Sequence, residues 1–345
     1  MSSQNVLEIP ETAREVRLTK QLEGKLTLDH FDVVETPVPQ PNAGEVLVRT
    51  DYLSLAAAYA DLMRPGCQLP VPPFLAGERL GGGALGTVVR SASTRLAVGD
   101  LVQSMSGWSE YSAGPAETYV KLATGLFPSP VYFLNQGPTA YYGMADIAQV
   151  GAGDVVFVSG AAGGVGSLAG QIAKCRGAAR VIGSVGSKEK ADYVVDELGY
   201  DAAFDYHDGP VVDRLRELAP DGINVFFDNV GGEQFEAAVR AAAPHARFAL
   251  CGALAGQIGG GQEGHPRLDL MRAITRHLEI RPFACYHTPE QINAWYEHFA
   301  RWYREGRFVF PHTTVEGGLA HAPEALLALL DGRYRGNVTI RVAAG

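Results

Sequence analysis

The chain has 345 residues, 46% of them hydrophobic and 19% charged, with a formal net charge of −9. That length suits two domains and that composition a large buried core, which excludes a disordered chain. An acidic balance without a basic run argues against a nucleic-acid partner, and no apolar stretch approaches the roughly 18 residues of a membrane span.

Met1–Arg17 mixes Glu, Arg and Pro without an apolar signal core, so the reading is a cytoplasmic protein. Residues 17–125 are strand-and-turn text. Glu45–Leu55 is β-rich, and Leu75–Ser91 and Gly99–Gly114 interleave glycine with apolar residues. Many short strands with glycine turns predict a barrel-like β domain. Cys67, Cys175, Cys251 and Cys285 are widely scattered, which predicts reduced, mostly buried thiols and no disulfide framework.

From about Ala152 the text becomes a regular β–α alternation. Strands are expected at Val155–Ser159, Arg180–Val185, Ala202–Tyr206, Asn224–Val230, Arg247–Gly252 and Glu279–Tyr286. Helices are expected at Val165–Arg176, Lys188–Leu198, Pro210–Ala219, Glu233–Ala242 and Leu268–Leu278. Such alternation predicts an α/β fold, a doubly wound parallel sheet with helices on both faces. In the helix Pro289–Gly306, Ile292, Trp295, Tyr296, Phe299, Trp302 and Tyr303 share one face, which reads as packing rather than a ligand box. Phe308–Val342 returns to β text with one helix, Pro323–Leu330, and is expected to complete the first domain. The domain expectation is therefore 1–128 with 308–345 as the β domain and 129–307 as the dinucleotide-binding domain.

Gly160-Ala161-Ala162-Gly163-Gly164-Val165-Gly166 lies between the first strand and first helix of this alternation. Pyrophosphate needs main-chain N–H donors and the positive end of a helix behind them, approached past residues with little or no side chain. A carboxylate at the end of the second strand would hold the ribose 2′-hydroxyl of NAD. Here that strand ends Ile182-Gly183-Ser184-Val185-Gly186-Ser187, followed by Lys188 and Lys190, while Tyr206 closes the next strand. A cation and a phenol suit the 2′-phosphate of NADP(H). Because ligands of open α/β sheets sit beyond the carboxyl ends of the strands, Asn229, Cys251-Gly252-Ala253 and Phe283-Ala284-Cys285 are further candidates. Cys251 and Cys285 read as small packing residues rather than nucleophiles.

A catalytic zinc needs Cys and His ligands in the first domain. Only Cys67 lies there, Cys-x-x-Cys occurs nowhere, and the nine histidines are dispersed. No metal is expected. A serine hydrolase is not indicated, since G-x-S-x-G is absent.

With Thr139-Ala140-Tyr141-Tyr142-Gly143, the run Gly160–Ser167, Gln171-Ile172-Ala173-Lys174, Asp221-Gly222-Ile223 and Phe227-Asp228-Asn229-Val230-Gly231-Gly232-Glu233, the chain resembles the medium-chain dehydrogenase/reductase superfamily. More narrowly it resembles the zinc-free prostaglandin, leukotriene and alkenal/one double-bond reductases, from about Val16 to Val342. The resemblance implies a GroES-like, partly open β-barrel beside a Rossmann domain. It also implies NADP(H) contacts at Gly160, Ala161, Ala162, Gly163, Gly164, Val165, Gly183, Ser184, Lys190, Tyr206, Asn229, Cys251, Gly252, Ala253, Phe283, Ala284, Cys285 and Asn337. It implies hydride delivery without metal to the β-carbon of an α,β-unsaturated aldehyde or ketone, and a homodimer formed through the nucleotide domain. At the corner where zinc relatives carry Gly-His-Glu, this chain has Gly77-Glu78-Arg79.

Three segments depart from the family pattern. Leu53-Ser54-Leu55-Ala56-Ala57-Ala58-Tyr59-Ala60 replaces Leu-Ser-Leu-Asp-Pro-Tyr-Met-Arg. Ala255-Gly256-Gln257-Ile258 and three following glycines stand where a Tyr is usual. Gly332-Arg333-Tyr334-Arg335-Gly336-Asn337 replaces Gly-x-Asn-x-Gly-Lys. Tyr59, nearest to the family's mouth tyrosine, is the candidate catalytic proton donor or carbonyl ligand, with solvent as the other proton source. Two further readings stay open. One is a tailoring enzyme of a biosynthetic pathway using the same NADPH site for reductive cyclisation, imine reduction or quinone reduction. The other is a nucleotide-binding protein without turnover.

Overall fold

Six strands, three of them rich in β-branched and aromatic residues, form the parallel sheet of the computed structural model, which describes residues 8–259 and 265–342. The strands of the first unit are β1 (Thr12–Leu18), β2 (Phe31–Pro37), β3 (Glu45–Leu55), β4 (Ala84–Ser91), β5 (Leu101–Ser104), β6 (Tyr111–Pro115) and β7 (Val120–Lys121), with one short helix, α1 (Ala58–Leu62). The second unit runs from Asn135 to Thr313 and adds Gly332–Asn337. Its elements are α2 (Gly137–Tyr142), β8 (Val155–Val158), α3 (Gly166–Cys175), β9 (Arg180–Val185), α4 (Lys188–Asp196), β10 (Ala202–Asp205), α5 (Val211–Leu218), β11 (Ile223–Asp228), α6 (Gly232–Ala241), β12 (Ala242–Leu250), α7 (Leu254–Gly259), α8 (Leu270–Arg276), β13 (Glu279–Pro282) and α9 (Pro289–Arg304). The chain then returns to the first unit through β14 (His312–Val315), α10 (Ala322–Leu330) and β15 (Asn337–Arg341).

In the second unit the sheet order is β10-β9-β8-β11-β12-β13, with every pair parallel. Numbered from β8, this is the 3-2-1-4-5-6 order of the doubly wound dinucleotide fold, whose strand order reverses between β8 and β11. One rung of the sheet is aromatic: Phe157, Phe226 and Phe248 are register partners on adjacent strands. Their rings lie 5.0 Å and 5.2 Å apart, stacked and then edge-on, and all three are fully buried. Such pairs add about 0.5–1.5 kcal/mol each beyond the area they bury.

Two strands differ from the sequence expectation by more than two residues at one end. β12 begins at Ala242, five residues early, because a register shift between Ile223 and Val225 lets the chain pair with β11 as soon as α6 ends. β13 stops at Pro282, whose ring nitrogen has no hydrogen to donate, and Phe283–Tyr286 continue as loop. In α9 the expected face is present: Trp295, Phe299 and Trp302 are buried, and a Thr288–Gln291 capping box with Pro289 starts the helix. The thiols correct another expectation. Cys67, Cys175 and Cys251 are partly buried and Cys285 is exposed, so none belongs to the closed core.

In the first unit β3 is the hub. It pairs antiparallel with β4, β6 and β15, while β5 and β7 extend the sheet beyond β4. β1 and β2 form a separate antiparallel ribbon. Val46, Val48, Val88, Leu96, Val102 and Tyr119 make one core cluster under the sheet.

Candidate nucleotide site

The glycine turn leaves β8 and enters α3. Gly160 has φ +62°, a left-handed conformation that glycine adopts without a Cβ penalty. The Ala161 N–H donates to the Ser184 carbonyl (2.9 Å) and the Gly336 N–H to the Ala162 carbonyl (2.9 Å), so neighbouring segments grip the turn from two sides. A Cβ at Gly166 would press into the Gly160 carbonyl and lie 2.9 Å from the Ala161 Cα, and one at Gly183 would lie 2.6 Å from the Ala161 Cβ. These two glycines are needed for closure of the turn. At Gly163 the only neighbour of a Cβ is the Gly160 oxygen at 3.4 Å, so that face of the turn is open. A turn with an open glycine face at the start of a ten-residue helix fits a pyrophosphate group. Val165 is the N-cap residue of α3, and Gly164 faces the Gln136 side chain. Tyr200 staples the helix behind: its hydroxyl donates to the Gly166 carbonyl (2.6 Å) and accepts from the Gly170 N–H (3.1 Å).

Two expected contact residues serve the turn rather than face outward. Ser184 is buried and its hydroxyl donates to the Gln234 side chain. Asn337 is buried too: its Oδ1 accepts from the Gln136 N–H (2.9 Å) and its Nδ2 donates to the carbonyls of Gly164 and Pro311 (both 3.3 Å). With its amide engaged on both sides, Asn337 braces the turn from behind.

At the β8–β11 reversal, Asp228 organises the strand ends. Its Oδ1 accepts from the Ser159 hydroxyl (2.8 Å) and from the N–H groups of Val230 (3.0 Å) and Gly231 (2.9 Å). Burial pushes this carboxyl above the usual range, while those three donors pull the other way. Asn229 Nδ2 donates to the Ser159 carbonyl (2.7 Å), and Gly252 packs so closely on Asn229 that a Cβ would lie 2.9 Å from the Asn229 oxygen. Ala253 follows, exposed.

The end of β9 carries no carboxylate. Ser187 caps α4 by accepting from the Lys190 N–H (3.2 Å), and the Lys190 ammonium donates to the Gly332 carbonyl. Burial, and then the charge of Arg335, push the Lys190 pKa down. Arg335 pairs with Glu189 and lies 4.7 Å over the Tyr193 ring. It is a second cation at this end of the site that motif spacing does not pick out. Its only signal is Arg333-Tyr334-Arg335 where the family has Asn. Tyr206 is 39% exposed, rests against Gly186 at the end of β9 and tilts over the His207 ring at 4.0 Å.

Beyond β12 and β13, Cys251 is partly buried and Cys285 exposed; the neighbouring Cys285 and burial push the Cys251 thiol pKa well above its ordinary value, and Cys251 draws that of Cys285 down to about 7. Thr139 Oγ1 is 2.9 Å from His287 Nε2. Phe283 packs edge-on against Tyr142 (5.7 Å) and Phe227 (6.1 Å), and Ala284 is exposed. In the first unit Tyr59 is buried, its hydroxyl 3.4 Å from Ser54 Oγ and its ring edge-on to Phe74 and Trp108. Burial pushes its phenol pKa up, so the group stays neutral. Of the second departing segment, Gly260 and Gly261 lie outside the described residues. Among the described residues there is no group of three or more His, Cys, Asp or Glu that could hold a metal ion, and no helix is long and apolar enough to cross a membrane.

Against known proteins, residues 14–122 match the model described as "N-terminal domain of oxidoreductase" and residues 164–303 the one described as "Zinc-binding dehydrogenase". The NADPH-dependent curcumin reductase of Escherichia coli is 32% identical over 91% of this chain and 92% of its own. The NADP(+)-dependent 2-alkenal reductase of Nicotiana tabacum is 32% identical over 90% of each. The crystal structure of CurA from Vibrio vulnificus in complex with NADPH superposes with a TM-score of 0.89 at 29% identity, covering 96% of this chain and 100% of that one.

Proposed function

The chain belongs to the medium-chain dehydrogenase/reductase superfamily, in its zinc-free double-bond reductase branch, and from that premise we propose that it is an NADPH-dependent reductase of activated carbon–carbon double bonds. The observation that carries the reading is the open Gly163 face of the β8–α3 turn, at the strand-order reversal, with Lys190 and Arg335 gathered at the end of β9 where an NAD enzyme holds a carboxylate. When bound, NADPH supplies a hydride for the β-carbon of an α,β-unsaturated aldehyde or ketone. The chain's part is to grip the pyrophosphate at Gly160–Val165, hold the 2′-phosphate with Lys190 and Tyr206, and line the nicotinamide half with Asn229, Cys251, Gly252, Ala253 and Phe283–Cys285. Asn337 and Ser184 hold the turn in shape.

Reduction leaves an enolate that needs donors at its oxygen and a proton at its α-carbon. Tyr59, kept neutral by burial, can give a proton but cannot act as a base at neutral pH. It stands in the proposal as the donor. The protein is read as cytoplasmic and homodimeric. Among the described residues β13 pairs on one side only, and Leu270, Met271 and Ile274 expose an apolar face on α8. Sedimentation of the purified chain at a dimer mass supports that assembly, and a monomer at micromolar concentration removes it. The reductase reading is tested by stopped-flow mixing with NADPH and a panel of enals and enones. Loss of nicotinamide absorbance with saturated product is the expected result; tight NADPH binding without oxidation by any of them overturns it.

A further inference from the structure

Tyr206 is followed by a histidine to which the sequence motifs assign no role. One carboxylate fixes it. Asp205 Oδ1 accepts twice from His207, from its main-chain N–H (3.0 Å) and from its ring Nδ1 (2.8 Å). The Asp205 side chain is only 14% exposed and that of His207 59%, so the carboxylate anchors and the ring stands outward. A carboxylate oxygen accepts, so Nδ1 carries a hydrogen. The state of Nε2 then follows. It is a lone pair in the neutral ring and an N–H donor only in the imidazolium. Among the described residues no hydrogen bond engages it.

The ring stands at the end of β9. A Cβ on Gly186 would lie 3.6 Å from the Tyr206 hydroxyl oxygen and 3.7 Å from His207 Cε1, the carbon bonded to Nε2. This is where the fold of an NAD enzyme presents a carboxylate to the ribose 2′-hydroxyl. The charges around it come from two sides. Asp205 and Asp208 flank the ring on its own turn. α4, packed on β9 and β10, brings Lys188, Glu189 and Lys190 in its first turn, engaged by Asp192, Arg335 and the Gly332 carbonyl. β9 itself ends in the uncharged Gly186 and Ser187. Beside the Asp205 carboxylate, a neutral ring would turn a lone pair toward a phosphate oxygen, and both contacts repel the anion. An imidazolium offsets the carboxylate and offers a charged donor instead.

We infer that His207 is a proton-dependent ligand of the 2′-phosphate, positioned by Asp205, and that NADPH binds with uptake of one solvent proton at Nε2. The proton adds to the ring lone pair as a new N–H bond, and no bond of the nucleotide is made or broken. The 2′-phosphate as ligand rests on the NADPH reading of the site; the fixed Nδ1–H and the place of the ring do not. Preference for NADPH over NADH should therefore decline as pH rises.

The test is titration of the full chain with NADPH and with NADH from pH 6.5 to 8.5, the upper part of the range in which histidine ordinarily changes charge. The ratio of the two affinities cancels whatever the nucleotides share. Uptake of one proton lowers that ratio by up to about tenfold per pH unit. The second ionisation of the 2′-phosphate, near pH ~6, acts the other way, because the dianion is the better ligand. Lys190, whose pKa burial pushes down, acts in the same direction as His207, so the variants decide. His207→Gln should weaken NADPH roughly tenfold at pH 6.5 and flatten the decline. His207→Lys supplies a charge that persists across the window and should keep NADPH tight with an equally flat response. NADH affinity, unchanged in both, reports an intact site. Calorimetry in two buffers of different ionisation enthalpy counts the proton directly, and His207→Gln should lose that uptake. A ratio that does not decline in the parent chain, or a decline and proton uptake that are the same in His207→Gln, overturns the role of His207 and leaves the NADPH site standing. Failure of NADPH to bind at all overturns both. A decline that depends on His207, without reduction of any enal or enone, supports the role of His207 while the reductase reading falls.

Discussion

The Lys190 ammonium donates to the main-chain carbonyl of Gly332, 142 residues further along the chain. A neutral carbonyl is a weak partner for a full charge, and partial burial with Arg335 nearby already pushes the lysine pKa down. A 2′-phosphate carrying nearly two negative charges relieves both effects, whereas the 2′-hydroxyl of NADH relieves neither. Lys190→Ala is therefore expected to weaken NADPH by about 10- to 100-fold, corresponding to ~1.5–3 kcal/mol for a charge-assisted bond. NADH should bind almost unchanged. Arg335 is engaged by Glu189, so Arg335→Ala should cost less, and Glu189→Gln should free the guanidinium and tighten NADPH. Fluorescence titration with both nucleotides checks all three; equal losses for the two nucleotides would remove the 2′-phosphate from this end of the site.

Asp228 gives a separate test of the strand ends. Its Oδ1 takes three donors, from Ser159, Val230 and Gly231. Asp228→Ala orphans them in a buried place and should cost at least about 2 kcal/mol. Asp228→Asn keeps an oxygen there. Because burial raises the folded carboxyl pKa above its unfolded value, the stability that Asp228 contributes is full below the unfolded pKa of roughly 4 and is lost as pH rises through the folded pKa. Asp228→Asn carries no such loss. Its stability relative to the parent chain should rise across that window and level off above it. Denaturant unfolding at acid and neutral pH measures this; a variant that falls behind the parent as pH rises would contradict the direction given for Asp228.

How much of this was legible beforehand depends on the kind of signal. The parallel sheet was written in the period of apolar runs, and the Gly160–Gly166 turn in residues that backbone closure demands. Lys190 and Tyr206 could be proposed from the sequence because a phosphate needs a cation and a donor at a place the fold defines. Arg335 was not, since it comes from a returning segment whose fit beside Glu189 depends on register over more than a hundred residues. The roles of Ser184 and Asn337 were legible only as positions: burial, which sequence does not show, turns them from outward-facing candidates into braces. Cys285 misled for the opposite reason. Pro282 ends β13 early and leaves the thiol on an exposed loop.

Tyr59 carries the proposed proton. Its hydroxyl is held at Ser54, and Gly82 leaves room for the phenol that a Cβ would fill. Tyr59→Phe removes only the O–H, so NADPH affinity should hold while kcat drops about 100-fold, the lower part of the range for a positioned general acid. An unchanged kcat assigns the proton to solvent and leaves Tyr59 as packing between Phe74 and Trp108.

Two glycines of the same turn separate binding from folding. At Gly166 a Cβ meets main-chain atoms of Gly160 and Ala161 that cannot give way. Gly166→Ala should therefore lower stability by about 1–3 kcal/mol, the usual cost of overpacking, whatever the ligand. At Gly163 a Cβ meets only the Gly160 oxygen at 3.4 Å, and the backbone there is not left-handed. Gly163→Ala should unfold at the parent's denaturant midpoint, yet its methyl group occupies the open face that the pyrophosphate needs. Its NADPH affinity should fall at least about tenfold, the equivalent of ~1.4 kcal/mol. Calorimetric titration beside denaturant unfolding reads the two quantities independently. A Gly163→Ala chain that keeps both its midpoint and its affinity for NADPH would place the pyrophosphate elsewhere and take away the observation on which the functional reading stands.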